Sequence, residues 1–78
     1  MMVSEKLLDC LERAGASGLS PVELARELYG GSGYLEQGRV AQMIGNLRRK
    51  GYTIHTAVLF DGRHRVGKYV LVSEWRKN

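Results

Sequence analysis

Leu19-Ser20-Pro21-Val22-Glu23-Leu24 is the stretch that organises this 78-residue chain. Ser20 can cap a helix, Pro21 suits the first helical position, where no amide donor is required, and Glu23 can reach back to the Ser20 amide as a capping box. Leu19 and Leu24 stand at the two positions of a hydrophobic staple. A helix is expected over 21–29, with Val22 or Leu24, Ala25 and Leu28 inward and Glu23, Arg26 and Glu27 outward. Gly30 and Gly31 end it.

On the N-terminal side, Val3, Leu7, Cys10, Leu11 and Ala14 recur at helical spacing, with Glu5, Lys6, Asp9, Glu12 and Arg13 filling the other face. An amphipathic helix over 4–14 follows, with Ser4 as N-cap and Gly15 and Gly18 as its stop. Cys10 reads as a small core residue, since nothing cationic adjoins it and no histidine is near in sequence. The single cysteine cannot form an internal disulfide, so a reducing cytoplasm is the simpler expectation. No apolar run approaches the ~20 residues of a membrane span, and the N-terminus lacks the pattern of a signal peptide.

On the C-terminal side, Gly30-Gly31-Ser32-Gly33 looks like a phosphate-cradling loop, but it follows a helix and carries no lysine, so it reads as a helix-to-helix connection. A third helix is expected from Leu35 or Glu36 to Lys50, taken as 36–50 and closed by Gly51, with Val40, Met43, Ile44 and Leu47 inward. Gly38, Gln42, Gly45 and Arg49 fall opposite, flanked by Arg39, Ala41, Asn46 and Lys50. Two glycines cost such a helix about 0.5–1 kcal/mol each. They remove side chains where something can approach closely, while Arg39, Gln42, Asn46 and Arg49 carry the donors and acceptors that read base edges. A solvated polar face on a weak helix is the alternative.

Beyond Gly51 the period changes to two, with β-branched residues, and a hairpin is expected over 52–72. Asp61-Gly62 favours a tight turn, with a longer loop over 61–67, bent at Gly67, as the other reading. Arg63, His64, Arg65 and Lys68 cluster at and after the tip, where cations can straddle a phosphate backbone or guard an exposed strand edge. Residues 73–78 read as a tail, with Trp75 folded back on the core or covering an edge, and base stacking as the other reading.

The net charge of +4 is unevenly placed. Residues 1–38 hold three basic and six acidic side chains, a net −3, and residues 39–78 hold nine and two, a net +7. The second half is therefore suited to a polyanionic partner. No paired carboxylates, nucleophile-base constellation or cofactor fingerprint is present, and His55 and His64 lack companion ligands, so no enzyme, cofactor or metal site is expected.

The run 19–24, then Leu28-Tyr29-Gly30, then Val40 through Asn46-Leu47-Arg48-Arg49-Lys50, and finally Gly67-Lys68-Tyr69-Val70-Leu71 resembles the effector domains of bacterial response regulators. It is also similar to small phage and bacterial winged-helix regulators. The resemblance covers almost the whole chain and implies an α+β winged helix-turn-helix fold, a single domain over 1–78 with a short third strand near Leu19 that pairs with the wing. It implies duplex DNA as partner and a role in transcription regulation, with the third helix in the major groove and the hairpin on backbone or minor groove. Arg48, Lys50, Arg63, Arg65 and Lys68 would then meet backbone, and Arg39, Gln42, Asn46 and Arg49 bases or nearby phosphates, with His64 beside them at the wing. The resemblance carries over no phosphorylation or metabolite switch, since the chain shows no receiver or ligand-binding domain. Gly38 and Gly45 also depart from the side chains that relatives carry there. The same fold without DNA readout would be a protein-interaction module, and duplex RNA or an unusual helical form of DNA would be a third partner; a monomer and a homodimer both fit.

Overall fold

The computed structural model describes residues 2–72, with the backbone alone at Leu59 and Asp61. The tail 73–78, with the expected packing of Trp75, lies outside the described residues. Helix α1 spans Val3–Ala14, α2 Pro21–Tyr29 and α3 Tyr34–Arg49, and strands β1 Ile54–Asp61 and β2 His64–Leu71 form an antiparallel hairpin. Three helices followed by a two-stranded sheet make an α+β layout consistent with a winged helix.

The core collects the apolar stripes of all three helices. Leu7, Leu8, Cys10 and Leu11 of α1, Leu24 and Ala25 of α2, Val40, Ile44 and Leu47 of α3, and Ile54 of β1 are buried. Leu19, Leu28, Tyr29, Met43, Tyr52, Tyr69 and Leu71 pack around them. Each fully buried leucine stabilises the fold by about 1.5–3 kcal/mol relative to exposure. Val3, expected on the inner stripe, is instead 41% exposed, and Leu8 takes a core position. The cause is that α1 packs on two elements, α2 and β2, which widens and turns its buried face beyond one narrow stripe.

Element ends shift for local reasons. The N-cap of α1 is Met2, with no side-chain cap, so Ser4 lies inside the helix and does not cap it. Helix α3 begins at Tyr34, one or two residues before the expected start at Leu35 or Glu36. The Gln37 amide donates to the Gly33 carbonyl (3.0 Å), and Gln37 Nε2 donates to the Ser32 carbonyl (2.7 Å), which draws the connection into the first turn. At the other end, Tyr52 still donates to the Leu47 carbonyl (3.2 Å), so pairing starts at Ile54 and not at 52.

The hairpin turns through Gly62-Arg63, between the paired residues Asp61 and His64. Gly62 has φ +65° and Arg63 does not have a positive φ, the arrangement of a two-residue turn whose first central position favours glycine. Gly67 is paired opposite Val58, so the longer loop bent at Gly67 does not form. Leu19 forms a bridge to Tyr69 through Leu19 N–H to Tyr69 O (3.0 Å) and Tyr69 N–H to Leu19 O (2.8 Å). The approach is close at Gly18, where a Cβ would lie 2.7 Å from the Tyr69 carbonyl oxygen and φ is +67°, so only glycine fits without displacement.

Candidate nucleic-acid interface

The outer face of α3 is built by subtraction and addition. Val40, Ile44 and Leu47 anchor the helix, which leaves Gly38, Arg39, Ala41, Gln42, Asn46 and Arg49 exposed and Gly45 half-buried. A Cβ added at Gly38 or Gly45 would meet nothing within 4 Å, so no neighbour inside the molecule requires either glycine.

Arg39, Gln42 and Asn46 line one depression of about 220 Å³ together with Tyr29 and Met43. The Arg39 guanidinium lies 5.9 Å from the Tyr29 ring centroid, within reach of a weak cation–π attraction that limits its rotamers. Arg49 donates to Asn46 Oδ1, one turn back along the same face. Four of the residues expected to read bases therefore stand on one exposed helix surface, with donors partly held in place.

The remaining cations divide into two groups. Arg63, His64 and Arg65 are exposed at the hairpin tip, and Lys50 is exposed at the end of α3. Arg48 and Lys68 have partners within the molecule. Arg48 donates to the Ile54 carbonyl from Nε (2.9 Å) and Nη2 (2.7 Å), and its Nη2 reaches Thr56 Oγ1 (3.1 Å). Its guanidinium also lies 5.9 Å from the Tyr69 ring centroid, so the side chain fastens the end of α3 to the base of the hairpin. Lys68 Nζ sits 3.4 Å from Glu23 Oε1. The Ser20 amide donating to Glu23, helped by the Ser20 hydroxyl and by Lys68 and opposed by partial burial, holds the Glu23 carboxyl below its ordinary range. Lys68 thus couples β2 to the start of α2.

Two side chains on this surface escaped the sequence reading. Tyr34 and Leu35, 93% and 73% exposed, form the first turn of α3. Counting back by four from Gln42 through Gly38 reaches Tyr34, so the helical period already carried the signal; a helix begun at 35 or 36 hid it. Among the described residues no group of three or more histidine, cysteine or acidic side chains is placed to hold a metal, and no helix is long and apolar enough to cross a membrane. In comparisons with protein-family models, curated proteins and solved structures, nothing matches this chain.

Proposed function

We propose that the chain is a small winged-helix transcriptional regulator of the cytoplasm that binds duplex DNA without catalysis or a cofactor. Helix α3 enters the major groove and the hairpin tip meets backbone or minor groove. The observation that supports this reading is the exposed α3 face, where Arg39, Gln42, Asn46 and Arg49 surround two glycines that no internal contact explains. Glycines there let a groove edge approach the helix axis, and the four polar side chains match the hydrogen-bonding edges of base pairs. Lys50, Arg63 and Arg65 supply phosphate contacts, joined by Arg39 and Arg49 where these meet a nearby phosphate in place of a base, while Arg48 and Lys68 keep their internal partners.

Three to five neutralised phosphates predict a slope of roughly −3 to −5 for log affinity against log salt. A random-sequence duplex selection followed by Gln42→Ala and Arg49→Ala assigns roles. A loss of ~1–3 kcal/mol confined to one base position marks base reading, and a uniform loss marks backbone contact. If both variants bind the selected duplex as well as the parent, the docking is wrong. The exposed Tyr34 and Leu35 favour a second reading, an interaction module for an acidic protein, because aromatic and apolar side chains beside cations suit a protein interface. Absence of duplex binding near about 50 mM salt, where phosphate attraction is strong, would select that reading.

A further inference from the structure

Leu35 is an apolar side chain set on the polar face of α3. It is 73% exposed and belongs neither to the core nor to the residues packed around it. It stands seven residues before Gln42 and four before Arg39, so the helical period directs it within about 20° of Gln42 and about 40° of Arg39. Gly38 lies between Leu35 and Gln42 along the helix, on the same side, and a Cβ added there would meet nothing within 4 Å. Glu36, the acidic residue of this helix, is half-buried and turned back on the preceding connection, where a Cβ at Gly33 would lie 2.7 Å from its Oε2. The middle of the exposed face is therefore a leucine, a gap and an amide in line, flanked by Arg39 and Arg49, with no acidic residue of α3 among them.

We infer that Leu35 reads the 5-methyl group of a thymine. This role rests on the duplex reading above, with α3 in the major groove, where the thymine methyl is an apolar group on an otherwise hydrogen-bonding surface. Leucine is shorter than arginine or glutamine and touches a base edge only if the helix comes close. Gly38, with no side chain beside it, allows that approach. Arg39, Arg49 and Lys50 around the leucine supply the positive charge that suits a polyanion, while Leu35 answers the feature of the groove that offers no hydrogen bond. With a rise of about 1.5 Å per residue, Leu35 and Gln42 stand about 10.5 Å apart along the helix, which places the thymine about three base pairs from the position that Gln42 reads.

The test replaces the thymines of the selected duplex by uracil, one at a time, which removes the methyl and leaves the hydrogen bonds of the base pair in place. Binding by the full chain at fixed salt is expected to weaken about three- to tenfold at one of these positions, the order expected for uncovering one methyl-sized group. Leu35→Ala should lose the same factor on the thymine duplex and bind the thymine and uracil duplexes alike. Leu35→Met keeps an apolar side chain of similar volume and should keep the preference. The side chain is exposed, so the denaturation midpoint of Leu35→Ala should stay near that of the parent, which separates a lost contact from a lost fold. Two results would overturn the role and leave the duplex reading standing: no uracil-sensitive thymine within about five base pairs, half a helical turn, of the Gln42 position, or a Leu35→Ala chain that still prefers thymine to uracil. Absence of any duplex binding by the parent would overturn both and leave Leu35 to a protein partner.

Discussion

Helices α2 and α3 are neighbours made on opposite principles. In α2, nine residues carry a full set of local supports: Ser20 Oγ accepts from the Glu23 amide (3.1 Å), Glu23 Oε1 accepts from the Ser20 amide (3.2 Å), and Pro21 occupies the first turn. Helix α3 is longer, at sixteen residues, yet its N-cap is Gly33 with no side-chain cap and its exposed face holds two glycines. A helix selected only for stability would not be written that way, because each glycine lowers helix propensity and neither is required by packing. The contrast teaches that α2 is fastened by local supports, while α3 relies on its buried stripe and keeps two glycines that no contact among the described residues requires.

The contrast breaks or sharpens under substitution. The largest effect is expected at Leu24→Ala, which empties a fully buried position of α2 and should destabilise the fold by about 2–5 kcal/mol in denaturant titration. A loss much smaller than that would mean that α2 is not the structural partner of the pair. Ser20→Ala removes the cap from α2 and should cost ~1 kcal/mol, read as a lowered midpoint at unchanged denaturant slope. The smallest effect has the opposite sign. Gly38→Ala and Gly45→Ala should each raise stability by about 0.5–1 kcal/mol while weakening duplex binding, since a methyl enters open space that a groove edge would use. If both variants are more stable and bind the duplex unchanged, the glycines serve no partner and the contrast between the helices loses its functional meaning.

Much of this was legible from residues alone wherever the cause is local. The capping box at Ser20 and Glu23 needs only four consecutive residues. The inward set Val40, Met43, Ile44 and Leu47 needs only the helical period, and Gly62 marks the hairpin turn by its backbone freedom. The legible part ended where a side chain answers to a distant segment. Arg48 sits in a basic run, Arg48-Arg49-Lys50, whose three members look alike in sequence; only the arrival of β1 beneath the helix end turns Arg48 onto the Ile54 carbonyl. Lys68 looked like a tip cation until pairing placed it opposite Ala57 and beside Glu23.

The sequence by itself determined the order of helices and strands, the apolar stripes and the gathering of positive charge in the second half, because propensity, period and composition act over a few residues at a time. Tertiary structure alone decided which cations are tied to partners within the molecule, and that Gly18 must lack a side chain against the Tyr69 carbonyl. Each of these depends on which backbone passes within a few ångströms, and that is fixed by how the core brings remote segments together.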